Sequence, residues 1–255
     1  MGIKTISTVL SLVIACLFTM QVHAIPVMTQ TPQGTYTDNV LNGSRWTDFT
    51  AMMTTQHSID QHADFEDFST LSTYDAIWVD QELGSTLSAT EISNLQNYFA
   101  LGNTEALVIL DSNWNDNTYI GHEDNMQFAQ NIVDWIADTS TNKIVLIGEN
   151  NSWTNWNQSI MDVVGGGFTA DCSWAIGSSI SSHSLTSGVN TVENACGSTI
   201  SLDQNLGNPD ILFDNNMAAV YGVSSVPEPA SIALMGLGLV GLGFSRRRKS
   251  KGLAA

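Results

Sequence analysis

Short apolar runs alternate with amphipathic stretches through the middle of the chain. Residues 45–53 place Trp46, Phe49, Met52 and Met53 at helical spacing. A strongly acidic, extended segment follows as far as Asp67. Ala76, Ile77, Trp78 and Val79 then form a continuous apolar run of the kind expected in a buried strand. Ser88 and Glu91 have the spacing of a capping box, and Ile92, Leu95, Tyr98 and Phe99 form the apolar face of the helix behind it. Residues 106–110 read as the next strand. Residues 122–137 read as a helix with Phe128, Ala129, Ile132, Val133 and Ile136 on its apolar side. Residues 143–147 are a further strand ending at Gly148, and 153–164 a further helix closed by Gly165, Gly166 and Gly167.

This alternation predicts an α/β fold, a mostly parallel sheet with helices on both faces. A polar lead over 29–44 precedes it. Beyond residue 167 the pattern loosens into short strands around 168–174, 189–192, 211–213 and 218–223, an irregular β-rich C-terminal part. No internal repeat is evident.

Charge changes the picture. The 255 residues carry a formal net charge of −17, but five of the eight basic residues lie in the last ten positions. Between the two ends only Arg45 and Lys143 oppose 24 carboxylates. Such a field repels phosphate backbones, so a nucleic-acid partner is excluded, and it attracts cations. The bland reading of the same field is solubility.

Both termini read as addresses. Lys4, the apolar run over 6–18 and the small-residue exit Val22-His23-Ala24 form a secretory leader over 1–24 with cleavage after Ala24. Val13-Ile14-Ala15-Cys16 offers an alternative, acylation at Cys16. An acidic domain over 25–225 follows. The last segment, 226–255, contains Pro227-Glu228-Pro229, an apolar span over 230–244 and Arg246-Arg247-Arg248-Lys249. As a helix that span is about 22 Å long, short of the ~30 Å hydrocarbon core. The cations hold the tail end in the cytoplasm and leave the domain outside. Gly236, Gly238 and Gly241 match GxGxxG, but no βαβ unit follows, so the pattern suits helix packing better than a dinucleotide.

This tail resembles the PEP-CTERM sorting signal of Gram-negative bacteria that make extracellular polysaccharide. The matching residues are Pro227, Glu228, Pro229, the Gly/Leu-rich span and Arg246, Arg247 and Arg248. The resemblance implies export by the secretion machinery, transient anchorage as a transmembrane precursor in the inner membrane, and processing by an exosortase. It further implies delivery to the cell surface or extracellular matrix, where exopolysaccharide is a partner. A plain membrane anchor is the alternative.

Within the domain, Cys172 and Cys196 remain as an even pair in an exported chain and are expected to form a disulfide closing a loop of about 25 residues, worth roughly 3–4 kcal/mol. Two free thiols are the alternative. Tyr74-Asp75-Ala76-Ile77-Trp78-Val79, Leu87-Ser88-Ala89-Thr90-Glu91 and His183-Ser184-Leu185-Thr186-Ser187-Gly188-Val189 resemble segments of class I glutamine amidotransferase-like, flavodoxin-like domains. That resemblance implies the fold. It does not extend to the chemistry, because neither Asp111-Ser112-Asn113 nor Gly148-Glu149-Asn150 carries a nucleophile elbow after its strand. Ser112 with His122 or His183 is the only nucleophile pair that suggests itself.

Three clusters invite a ligand. Asp111, Asn113 and Asn115 sit in an oxygen-rich loop resembling half a calcium site, without its glycine or its closing glutamate. His57, Asp60, His62, Asp64 and Glu66 form a second candidate metal cluster, with the last three on one face of an extended segment. Trp153 and Trp156 are spaced as helix neighbours and could stack a sugar; core packing is the ordinary reading. The expectation is therefore an exported surface or matrix protein with a non-catalytic binding or structural role and no required cofactor. The rivals are a hydrolase on an amidotransferase-like fold lacking the usual cysteine, using the loops around Asp111 and Glu149, and a calcium-dependent matrix adhesin.

Overall fold

The computed structural model describes residues 24–31, 38–80, 86–101, 106–110, 112–137, 143–147, 159, 162–163, 167–168, 173–197, 200–201, 209–214 and 217–221. The leader, the sorting tail, Asp111, Glu149, Trp153, Trp156 and Cys172 lie outside them, as does the side chain of Cys196. The expected disulfide and the expected membrane span therefore lie outside the described residues. No helix among the described residues is long and apolar enough to cross a membrane.

Five strands run parallel: β1 (Pro26–Gln30), β2 (Ser58–His62), β3 (Ala76–Asp80), β4 (Ala106–Leu110) and β5 (Lys143–Ile147). They lie in the order β2-β1-β3-β4-β5. β11 (Ala218–Tyr221) adds antiparallel to β5, and β10 (Asp210–Ile211) closes that edge. The order reverses between β1 and β3, which is the flavodoxin-like, doubly wound arrangement.

Period-two alternation sorts the strand side chains onto two cores. Val27, Ala76, Trp78, Ala106, Val108, Ala218 and Val220 face one side. There they meet α1 (Thr47–Gln56), through Phe49 and Met53, and α4 (Asn125–Ile136), through Phe128, Ile132 and Val133. Met28, Ile77, Val79, Leu107, Ile109 and Ala219 face the other side. There they meet α2 (Phe68–Leu71) and α3 (Ala89–Phe99), through Leu71, Leu95 and Tyr98. Aromatic rings dominate the first core. Trp78 lies 6.2 Å from Trp46 and 5.1 Å from Phe49, and Phe49 continues to Trp114 at 6.2 Å. Trp114, Phe128 and Phe213 continue the line at 5.2 and 5.1 Å, in tilted and edge-to-face geometry.

The capping box forms as expected. Ser88 Oγ accepts from the Glu91 amide, and the Glu91 carboxylate accepts from the Ser88 amide at 2.7 Å. Two elements differ from the expectation. The junction of the leader and the polar lead is occupied by β1, an interior strand that starts two residues after Ala24 and takes in Thr29 and Gln30 of the lead. α4 begins at Asn125 rather than 122, because Glu123 takes a left-handed φ of 44° and residues 115–124 form turns.

The C-terminal part comprises a hairpin of β7 (Ser173–Ser178) with β8 (Thr191–Gly197) and a separate small pair of β6 (Gly167–Phe168) with β9 (Ile200–Ser201). Asn125 binds this hairpin to the α/β layer. Its amide group donates to the carbonyls of Trp114, Tyr119 and Glu193, and its Oδ1 accepts from the Glu193 amide at 2.8 Å.

Candidate functional site

Ligands of doubly wound sheets sit outside the carboxyl ends of the parallel strands, at the reversal of strand order. Here that place lies between Gln30, closing β1, and Asp80, closing β3. Asp80 is fully buried. It accepts from the Trp78 indole at 2.8 Å and from the Leu41 amide at 3.1 Å, so it fastens the segment before α1 to the sheet. On the opposite face Gln30 donates to the Ala63 carbonyl and to Glu91, at 3.2 and 3.4 Å. Glu91 also accepts from the Phe65 amide at 3.2 Å. A buried carboxylate is thus satisfied by three neutral donors at the start of α3, where the helix dipole favours negative charge. The Thr29 hydroxyl and Gln30 Oε1 are buried without hydrogen-bond partners.

The loop after β4 carries the oxygen-rich motif. Asp111 lies outside the described residues, and Ser112 opens a 3-10 turn, Ser112–Trp114. The fully buried Asp116 pairs with Arg45 Nη2 at 2.6 Å and accepts from the amides of Thr118 and Tyr119. Asn117 donates to Thr47 Oγ1 at 2.8 Å and accepts from the Asp48 amide at 3.2 Å, holding the first turn of α1. Asn113 is half-buried. Asn115 is fully buried with both amide atoms unpartnered. The loop therefore spends Asp116 and Asn117 on joining β4 to α1 and leaves Asn115 with unused polar capacity.

The described histidines take structural positions. His57 bridges the backbone of Ile25 and of Val133, at 3.4 and 2.9 Å. His62 Nε2 lies 2.8 Å from the Tyr74 hydroxyl, which also contacts Asp60 at 3.2 Å. The tyrosine hydroxyl donates its one proton to Asp60, so it accepts from His62 Nε2–H. Burial, with Asp60 adding to it, raises the Tyr74 pKa. Asp64 and Glu66 do not join this pair. Among the described residues no three His, Cys, Asp or Glu side chains group as a metal ion requires, so the second cluster is dispersed rather than assembled.

His122 Nδ1 lies 3.2 Å from Glu193. His183 caps the 3-10 turn Ser184–Thr186, its Nδ1 accepting from the Leu185 amide at 3.1 Å. Burial holds this imidazole below the ordinary histidine range, with Asp210 pulling the other way. The segment 183–189 thus supplies a turn, and its histidine is committed to that turn. Ser181 Oγ and the Ile211 carbonyl tie the turn to β10. Ala24, the expected cleavage residue, is exposed two residues ahead of β1.

Sequence reading missed the Asn125 hub and the role of His57. Asn125 lies inside the helix expected over 122–137, and His57 reads as one member of a candidate metal cluster. Only the tertiary partners distinguish them.

Residues 225–249 match the PEP-CTERM protein-sorting motif. The match spans Pro227, Glu228 and Pro229 and runs through Arg246, Arg247 and Arg248. The chain therefore carries the sorting signal of exported proteins handled by an exosortase, made as a membrane-anchored precursor bound for the cell surface. No curated protein and no solved structure matches the chain.

Proposed function

We propose that the acidic α/β domain is a non-catalytic binding or structural component of the cell surface or the exopolysaccharide matrix, released there when an exosortase removes the tail. The observation that carries this reading is the sorting motif over 225–249. Two features support the domain's part in it. The four described histidines, His57, His62, His122 and His183, each engage a structural partner, and so do Asp80, Glu91 and Asp116. The surplus of carboxylates between the chain's ends favours partners that bring cations. Replacing Pro227, Glu228 and Pro229 with alanine tests it. The precursor should accumulate in the inner membrane and disappear from the surface fraction; unchanged surface delivery would refute the reading.

A second reading, a cation held at the loop after β4, rests on the buried and unpartnered amide of Asn115. It requires millimolar calcium to raise the melting temperature and Asn115→Leu to abolish that rise. A melt indifferent to calcium removes it.

A further inference from the structure

The expected leader-cleavage bond, Ala24–Ile25, lies where the fold begins. Ala24 is exposed, whereas Ile25 is 3 % exposed and the central strand β1 starts at the next residue. Both backbone groups of Ile25 are engaged. Its carbonyl accepts from the Ser58 amide at 3.1 Å, and its N–H points to His57 Nδ1 at 3.4 Å. The other ring nitrogen, Nε2, is 2.9 Å from the Val133 carbonyl. A carbonyl only accepts, so His57 carries its proton on Nε2 and offers a lone pair at Nδ1. His57 is buried, at the junction of α1 and β2 and against α4.

We propose that removal of the leader after Ala24 makes the new amino terminus a structural group, with the freed ammonium of Ile25 docking on Nδ1 of His57. The inference rests on the reading of 1–24 as a removable leader. In the precursor the contact is a long hydrogen bond from a peptide N–H whose direction is fixed by the planar bond to Ala24. Hydrolysis of that bond adds water across it: the Ala24 carbonyl carbon gains the hydroxyl, and the Ile25 nitrogen gains a proton and, near neutral pH, a second. The nitrogen then rotates freely about N–Cα and bears a positive charge. Both changes shorten and strengthen its hydrogen bond to a neutral imidazole acceptor. The remaining protons face the side from which exposed Ala24 has departed, so water solvates them.

Maturation in this account fastens the amino end of β1, α1 and α4 together through one imidazole. It also makes the cleavage position matter, because a terminus one residue earlier would keep the amide and one residue later would remove the donor.

The test uses the protein recovered from exporting cells. Its first residue is read by stepwise degradation and intact mass, and its α-amine is then acetylated selectively. The expected first residue is Ile25. Acetylation should lower the melting temperature by about 2–4 °C, and in His57→Leu it should change nothing. Should His57→Leu fail to fold, the ¹⁵N resonance of His57 Nδ1 in the unsubstituted protein serves instead, and it should move on acetylation. A chain beginning at Ile25 whose melt and ring resonance ignore acetylation overturns the inference and leaves the leader reading standing. A chain that begins at Cys16, or keeps the leader, overturns both.

Discussion

Asn125→Ala removes the side chain that joins the loop after β4, the start of α4 and the strand β8. The wild-type amide satisfies the Trp114, Tyr119 and Glu193 carbonyls and the Glu193 N–H, at 2.8, 3.0, 2.8 and 2.8 Å, and Asn125 itself is fully buried. Alanine leaves the Glu193 N–H without its acceptor in a residue that is 6 % exposed. A buried orphan costs about 1–3 kcal/mol, and carbonyls fall toward the low end because each keeps a second lone pair. One donor and two or three acceptors then sum to about 3–5 kcal/mol, a large share of the roughly 5–15 kcal/mol that holds a domain together. Urea titration followed by tryptophan fluorescence reads the loss as a lower midpoint at unchanged slope.

Asn125→Asp sharpens the test. One carboxylate oxygen can still accept from Glu193, but the other faces three carbonyl oxygens. The aspartate variant should be less stable than the alanine variant at pH 7 and close the gap as acid protonates it. A loss below about 1 kcal/mol for Asn125→Ala would refute the hub and the docking of the hairpin it implies.

His183 supplies a pH prediction. Its folded pKa is depressed by burial, so the unfolded chain takes up the proton first as pH falls. The stability tied to the neutral ring is complete above about pH 6.5 and is lost as pH drops below that value. His183→Asn keeps an acceptor for the Leu185 amide and should flatten the decline of the melting temperature as pH falls below about 6.5; parallel profiles for the two proteins would contradict this. Arg45→Met leaves the buried Asp116 carboxylate with its backbone donors and no cation. It should cost about 1–3 kcal/mol in the same urea assay, and adding Asp116→Asn should restore part of that loss. A double variant no more stable than the single would count against the pair.

The layered α/β core was legible in the sequence because its central strands are apolar on both faces. Ala76 to Val79 and Ala106 to Ile109 lie between two helical layers, so each run reads as an unbroken apolar block. The capping box was legible for a local reason, since both of its hydrogen bonds close within four residues. β1 was not. Ile25, Val27 and Met28 adjoin an apolar leader, and Pro26, tolerated as the first residue of a strand, looks like a leader exit.

β2 was obscured by its position. At the sheet edge only Ile59 of its five residues is apolar, and the strand keeps the charged, solvated character that protects an exposed edge. The loop after β4 stood out in the sequence as an oxygen-rich run, but its arrangement did not. Asp116 and Asn117 follow the candidate ligands Asp111, Asn113 and Asn115 in the chain, and their partners Arg45 and Thr47 lie about seventy residues away. The address at the C-terminus, by contrast, is recognised as a run of consecutive residues and needs no tertiary partner to be read. The sorting motif over 225–249 was therefore legible from the sequence alone.

The central claim is that this polypeptide is delivered outward and trimmed. Intact mass of the chain recovered from the cell surface or culture matrix tests it most directly. A species lacking the residues up to Ala24 and the arginine cluster 246–248 is predicted. A full-length chain of 255 residues, recovered from the cytosol with both ends uncut, would contradict the account.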